Sequence, residues 1–301
     1  MEFLQLLSAS PGVALALAAV LGLIIGSFLN VVIARLPVMM QREWEAQCRE
    51  LIASSGEGQD RAAIEAALSG EVHAEPIRFN LSNPPSHCPT CKQPIAWYRN
   101  IPVVSWLLLR GKCSNCGTAI SWRYPVVELL TAALFAACVA MLGVTGAALA
   151  GMAFCAACVA LAFIDADTSF LPDDITLPLL WGGLLVNLFA LFVPISEAVV
   201  GAMAGYLALW LVYWAFKLLT GKEGMGYGDF KLLAAIGAWM GWQALPVVIL
   251  ASSIAGVLIG GGMILSGRAA RGQALPFGPY LAVAGVAVLL SNGAWRGLMG
   301  W

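Results

Sequence analysis

The sequence has 301 residues, of which 60% are hydrophobic and only 11% are charged, and its formal net charge is −1. This composition excludes an ordinary water-soluble globular protein and is typical of a chain that crosses a lipid bilayer several times. The net charge alone indicates no partner, because ten of the sixteen Lys and Arg residues fall between Arg35 and Arg123. We expect no nucleic-acid partner.

The first apolar run, from Val13 to Ala34, is long enough to span a bilayer and is followed by Arg35. Because cytoplasmic segments carry an excess of Lys and Arg, we expect residues 1–35 to form a first transmembrane helix with its amino terminus outside. Gly26, Ser27 and Asn30 interrupt the run, and small residues in such a position favour helix packing over chemistry.

Residues 36–124 have the composition of a small cytosolic domain inserted between the first and second spans. Apolar residues recur at helical spacing in residues 44–52 and again in residues 64–68, which predicts a helical hairpin. His73 and His87 are the only histidines of the chain, and both lie in this domain. A histidine-based hydrolase is therefore not expected, and each histidine is more simply interpreted as a hydrogen-bonding residue than as a metal ligand.

Four of the eight cysteines form two Cys-x-x-Cys pairs in the same domain, Cys88 with Cys91 and Cys113 with Cys116. Two such knuckles, 21 residues apart, can bring four thiolates into the tetrahedral arrangement that zinc prefers. A redox role is the alternative, and a cytosolic location argues against disulfides. Four protein ligands leave the ion no open position, so the predicted zinc is structural.

Seven more apolar segments follow Pro125 and make up the predicted membrane core, residues 125–301. With the first span they give about eight transmembrane helices, an all-α polytopic membrane protein in which every basic residue except Arg296 lies on the cytosolic side. The predicted segments are Val126–Leu142, Ala147–Ile164, Ile175–Val193, Ala198–Leu219, Leu232–Val248 with an outer turn near Trp242–Pro246, Val247–Leu265 and about Ala274–Leu290.

Two carboxylates close apolar runs on the same predicted membrane face. Asp229 lies in Gly226–Lys231, between two strongly apolar stretches, and Asp165 ends another. Acids are costly at this depth, and two that meet can share protons as general base and general acid, as in aspartic proteases. For Asp229 alone, a turn residue that caps the next helix is the alternative.

The other acids near these two are interpreted as structural. Asp167 would face away from Asp165 on a helix, and Asp173 and Asp174 precede an apolar run as helix caps do. We expect Gly226 and Gly228 to adopt positive φ and to allow close approach, so that Asp229 points inward.

Two further motifs allow both a chemical and a structural interpretation. Gly260–Gly262 lies inside a span and indicates helix packing more than a nucleotide site. Pro276–Pro279 interrupts helical hydrogen bonding and can either offer backbone groups to a substrate or simply start a helix.

Together, residues 163–167, 171–173, 226–235 and 276–280 and the paired cysteines resemble type IV prepilin peptidases over nearly the whole chain. They are similar, more distantly, to the wider Gly-x-Gly-Asp group of intramembrane aspartic proteases. The resemblance implies that Asp165 and Asp229 are catalytic and that cleavage follows a glycine at the cytosolic end of the hydrophobic helix of a prepilin or a type II secretion pseudopilin.

The same resemblance implies methylation of the new amino terminus from S-adenosylmethionine, with a glycine matching Gly111 associated with methyl transfer. It also implies the bacterial inner membrane as the location. Two rival functions stay open: a transporter or channel with functional intramembrane acids and a regulatory zinc domain, and a non-catalytic assembly scaffold.

Overall fold

Helices make up nearly all the regular structure in the described part of the chain. The computed structural model describes residues 9–54, 79–96, 101–222, 224–267, 275–294 and 297. Two isolated antiparallel bridges, His87–Pro94 and Lys112–Ala119, are the β-structure in these residues. The predicted all-α class is confirmed, as expected for a chain whose backbone groups must be satisfied in lipid. The α-helices of these residues are α1 (Pro11–Ser54), α2 (Val104–Leu108), α3 (Arg123–Leu142), α4 (Gly146–Thr168), α5 (Asp173–Leu188), α6 (Ile195–Thr220), α7 (Tyr227–Met240), α8 (Leu245–Leu265) and α9 (Gly278–Leu290).

Five described helices are long and apolar enough to cross a membrane. They are Pro11–Leu51 of α1, then α3, α4, α6, and Trp242–Leu265, in which a short 3-10 turn leads into α8. The helices α5, α7 and α9 have only 16, 14 and 13 residues, whereas a straight span needs about 20. By length and composition, the described residues therefore contain five helices able to span a membrane, as in a multi-pass membrane protein.

The first helix continues far beyond the predicted end of the first span. α1 has 44 residues and includes Pro37, which makes it about 66 Å long, roughly twice the hydrocarbon thickness of a bilayer. Beyond the apolar run, Arg35 donates a hydrogen bond to the Asn80 carbonyl oxygen at 3.0 Å, and the Arg42 guanidinium lies 4.3 Å from the centre of the Phe79 ring. The first arm of the predicted hairpin is the continuation of α1; the second arm, residues 64–68, lies outside the described residues.

The helix α1 packs against α3 through two glycines. A Cβ atom on Gly22 would lie 2.5 Å from the Ala132 Cα atom, and one on Gly26 would lie 2.7 Å from the Glu128 Cα atom. Small residues let helix backbones approach this closely in a membrane. The predicted packing role of Gly26 is therefore confirmed.

The centre of the bundle is α7, which begins with the Gly-x-Gly-Asp motif. Its residues 229–240 are buried except Lys231, as expected for a helix that is apolar on all sides. Gly201 of α6 faces Gly237 with backbone in direct contact, and Gly205 lies against the Leu233 carbonyl. The far end of α7 is held by Asn187, whose side-chain amide donates to the Ala238 carbonyl oxygen at 2.8 Å.

Candidate functional site

Asp165 lies in the last turn of α4, where the chain leaves the bundle. The helix ends because Ser169 adopts a left-handed conformation, with φ 53°, and its N–H donates to the Asp165 carbonyl oxygen. The Asp165 side chain is nonetheless only 5% exposed. A carboxylate is thus held inside the protein at the end of a membrane helix.

Asp229 is the third residue of α7 and is 6% exposed. Gly226 precedes the helix in an extended conformation, with φ −84° and ψ 155°, and neither Gly226 nor Gly228 has positive φ. The expectation of positive φ is therefore wrong at both glycines. The expected close approach occurs at Gly228, where a Cβ atom would lie 2.8 Å from the Leu171 Cβ atom.

The start of α9 supplies a donor to the first acid. The Gly278 N–H donates to Asp165 Oδ2 at 3.0 Å, and a Cβ atom on Gly278 would lie 2.6 Å from that oxygen. Pro279 occupies the first turn of the helix. Of the two alternatives for Pro276–Pro279, the helix start is present in the structure, and the Gly278 N–H at that start binds Asp165.

The two acids come together at one end of the bundle. Gly228, which precedes Asp229, and Gly278, which binds Asp165, both lie against the Leu171 side chain, so the two carboxyl groups are near neighbours. Asp229 Oδ1 is buried and has no hydrogen-bond partner among the described residues. A buried acceptor without a partner is costly, and this oxygen is suited to bind a water molecule or a polar group of a substrate.

The neighbouring acids form ion pairs instead. Asp167 is exposed and pairs with Arg123 at 2.6 Å, which agrees with the surface position expected for it. The expectation that Asp173 and Asp174 cap α5 is wrong, because both lie in its first turn and no side chain caps this helix. Both Asp173 carboxylate oxygens accept hydrogen bonds from Lys231 Nζ at 2.7 Å, because the starts of α5 and α7 lie side by side.

The four paired cysteines also come together. Their sulfur atoms all lie within 4.8 Å of one another, and Cys88 Sγ is 3.7 Å from Cys116 Sγ. A tetrahedral ion with metal–sulfur bonds of about 2.3 Å has sulfur atoms about 3.8 Å apart. The cluster therefore fits a metal ion held by four sulfur ligands.

Each knuckle is a tight turn closed by backbone hydrogen bonds. The Cys88 N–H donates to the Gln93 carbonyl oxygen at 3.0 Å, and the Cys113 N–H donates to the Thr118 carbonyl oxygen at 2.8 Å. Hydrogen bonding to the Thr118 side chain lowers the pKa of the Cys116 thiol to about 6. The Asn115 side-chain amide, which donates to Cys91 Sγ at 3.6 Å, lowers the pKa of that thiol. Both effects favour the thiolate form that binds metal.

Gly111 lies near this cluster in a buried left-handed turn with φ 65°. A Cβ atom there would lie 2.9 Å from the Trp106 ring, and the Gly111 N–H donates to the Trp106 carbonyl oxygen at 2.8 Å. The structure thus gives Gly111 a packing position beneath Trp106.

Sequence reasoning missed three features of the site. The roles of Gly278 as a donor to Asp165 and of Lys231 as the partner of Asp173 depend on tertiary contacts, although both residues stand within motifs that the sequence singles out. Glu128 is a buried acid in α3. The sequence feature that could have identified it is a lone carboxylate inside an apolar run.

Comparison with known proteins places these features in a family. The Bacterial Peptidase A24 N-terminal domain matches residues 20–142, which include the four cysteines, and the Type IV leader peptidase family matches residues 152–261, which include both acids. No solved structure matches the chain significantly.

Three similar proteins are each named prepilin leader peptidase/N-methyltransferase. The protein of Aeromonas hydrophila is 53% identical over 287 residues, covering 95% of this chain and 94% of the relative. That of Burkholderia pseudomallei (strain 1026b) is 48% identical, covering 96% and 89%, and that of Neisseria gonorrhoeae is 48% identical, covering 96% and 94%. With relatives this similar along nearly its whole length, the chain belongs to the type IV leader peptidase family.

Proposed function

We propose that this protein removes the leader from type IV prepilins or type II secretion pseudopilins and then methylates the new amino terminus. Both activities appear in the names of relatives that match this chain along nearly its whole length. The observation that carries the peptidase activity is the meeting of two buried acids from different helices, one with a buried oxygen that lacks a partner in the described residues.

Asp165 and Asp229 are the proposed catalytic pair. One carboxylate is ionised and takes a proton from water, while the other is protonated and hydrogen-bonds the peptide carbonyl. The water oxygen bonds to the carbonyl carbon, the C–N bond breaks, and the leaving amine takes up a proton. Gly278 fixes the orientation of Asp165, and Asp229 Oδ1 is available to the water.

The proposed site faces the cytosol from the inner membrane of a bacterium. Arg123 pairs with Asp167, two residues after Asp165, and Lys231, two residues after Asp229, pairs with Asp173. Basic residues favour the cytosolic end of membrane helices. A prepilin presents one hydrophobic helix whose basic leader stays in the cytosol, so its scissile bond reaches the same depth. In this scheme α5, α7 and α9 complete eight spans, and α7 and α9 are buried in the bundle over most of their length.

The metal proposed for the cysteine cluster is a structural zinc ion. Four sulfur ligands satisfy its coordination and leave no position for a substrate. Cys88, Cys91, Cys113 and Cys116 would hold it, and its binding would hold the two knuckles together. The proposed methyl donor is S-adenosylmethionine.

The test is a single assay on the purified protein with a prepilin and isotope-labelled S-adenosylmethionine, followed by mass analysis of the amino terminus of the product. We expect a shortened chain that begins with a methylated residue. An unprocessed prepilin, combined with ion flux when the protein is placed in sealed vesicles, would instead support a transporter or channel.

A further inference from the structure

Three parts of the chain enclose a cleft of about 1030 Å³: α1, the segment that carries the cysteine cluster, and the start of α3. Ser27 and Asn30 of α1, Trp106 of α2 and Glu128 of α3 are among the residues that line it, and Asp165 and Asp229 are not. Small-molecule sites commonly have volumes of about 300–1000 Å³. The cleft is thus large enough for a molecule of nucleoside size together with the first residue of a peptide.

Glu128 is the acid of this cleft, and the proposed peptidase mechanism does not use it. Its side chain is 7% exposed, and Oε2 accepts a hydrogen bond from the Val103 N–H at 2.7 Å. No Lys or Arg among the described residues forms an ion pair with it. A buried carboxylate without a cation beside it is suited to receive one.

The cleft opens at the same end of the bundle as the aspartate pair. Glu128 lies five residues after Arg123 on α3, and Arg123 pairs with Asp167, which follows Asp165 by two residues. Tyr124, which also lines the cleft, holds α1 through its carbonyl oxygen, which accepts a hydrogen bond from Asn30 at 3.1 Å. An amino terminus released at the acids therefore has a short path to the cleft.

We propose that this cleft is the site of methyl transfer, in which a sulfonium methyl donor and the new amino terminus bind side by side and Glu128 receives the amino group. The proposal rests on the proposed function, since it assigns a site to the methyl-transfer activity. The cationic amino terminus supplies the positive partner that no Lys or Arg of the described residues provides to Glu128. The apolar wall around Trp106 suits a flat heterocycle.

The chemistry balances with these two reactants alone. An amino terminus with a pKa of about 7.7–8.0 is mostly protonated at neutral pH, and it first loses one proton to the Glu128 carboxylate. The amine lone pair then bonds to the methyl carbon, the carbon–sulfur bond breaks, and its electron pair stays on sulfur as a neutral thioether. The methylated ammonium is the product, and Glu128 returns its proton to water.

The packing of Gly111 connects the cysteine cluster to this cleft. Gly111 does not line the cleft, but it lies directly beneath Trp106, which does. Cys88 and Cys113 also contribute to the wall. A change at Gly111 or in the cluster would therefore reshape the cleft without touching the aspartate pair.

The test compares two substrates in the full-length protein: a prepilin, and the same pilin already shortened to its free amino terminus. Initial rates of leader loss and of methyl incorporation from labelled S-adenosylmethionine are measured separately. For Glu128→Gln, we expect methyl incorporation to fall about 100-fold on both substrates, with leader loss retained. Ala34→Trp, which adds bulk in the cleft wall, should act in the same direction. The matched control is Thr131→Val, because Thr131 is buried one turn away on α3 but does not line the cleft.

The outcomes separate this inference from the proposed function. If Glu128→Gln methylates the shortened pilin at the wild-type rate, or loses both activities in parallel, Glu128 only anchors Val103 and the inference is wrong. If both cleft variants keep full methyl transfer, the cleft is not the site. If the wild-type protein methylates neither substrate, the methyltransferase half of the proposed function fails, and this inference fails with it.

Discussion

At the scale of single residues, the proposed peptidase depends on two carboxyl groups that must exchange protons. Asp165→Asn and Asp229→Asn keep the side-chain size and remove the acid, so we expect either change to lower the rate of leader removal by about 1000-fold or more. Both variants should still insert into the membrane and methylate an already shortened pilin. The rate is measured by mass analysis of a prepilin, and the amount of protein in isolated membranes is measured alongside.

The control for these variants is Asp174→Asn, because Asp174 is an exposed acid at the start of α5. It should cleave at the wild-type rate. Full cleavage by Asp165→Asn or Asp229→Asn would remove that residue from the proposed pair.

Gly278 gives a finer test of the geometry around Asp165. In Gly278→Ala the new Cβ atom would lie 2.6 Å from Asp165 Oδ2, so the carboxylate must move. A displacement on the order of 1 Å can lower a catalysed rate about 100-fold, and we expect leader removal to fall by this factor. Gly261→Ala is the control, since a Cβ atom there meets nothing within 4 Å. Equal rates for the two variants would show that the Gly278 contact does not position the acid.

At the scale of elements, the sequence predicted most of the bundle because long apolar runs allow few alternatives. The segment Ala147–Ile164 lies within α4 and Ala198–Leu219 within α6, and the turn near Trp242–Pro246 contains the 3-10 turn Trp242–Ala244. The continuation of the first helix beyond Arg35 was missed because the composition changes there while the backbone remains helical through Pro37.

The candidate site was predicted less completely than the bundle. The sequence indicated Asp165, Asp229 and the four cysteines, because acids at the ends of apolar runs and paired cysteines usually have a functional or structural role. It did not indicate whether Gly228 serves a turn or a close approach, since glycine permits both. Glu128 and the Lys231–Asp173 pair depend on contacts between distant parts of the chain.

Packing between α6 and α7 should control the stability of the helix that carries Asp229. In Gly201→Ala the new Cβ atom would meet the Gly237 carbonyl group and lie 2.8 Å from the Gly241 carbonyl carbon. Such overpacking costs about 1–3 kcal/mol, which exceeds the gain of about 0.5–1 kcal/mol from replacing glycine in a helix. We expect a lower melting temperature in detergent for Gly201→Ala, whereas Gly262→Ala, where a Cβ atom meets nothing within 4 Å, should melt no lower than the wild type. An unchanged melting temperature for Gly201→Ala would mean that the close packing of α6 against α7 does not contribute to the stability of the protein.

At the scale of the whole molecule, two activities are proposed for two places that share one end of the bundle. The aspartate pair belongs to α4 and α7, whereas the cleft takes one wall from the segment with the cysteine cluster. The cluster is therefore expected to affect the two activities unequally. Arg123 connects the places, because it begins α3 and pairs with Asp167 near the end of α4.

Removal of the metal measures this difference directly. Cys113→Ser deletes one of four ligands, and we expect the purified variant to hold less zinc, with its methyl-transfer rate falling more than its rate of leader removal. The unequal loss follows because knuckles that are no longer held together would move Trp106 and the other cleft residues, while Asp165, Asp229 and Gly278 keep their contacts within the bundle. Cys48→Ser is the matched control, since Cys48 is an exposed thiol on α1 outside the cluster, and it should keep its zinc and both activities. Unchanged zinc in Cys113→Ser would refute the metal site, and equal loss of the two activities would mean that the cluster supports the whole bundle and not the cleft alone.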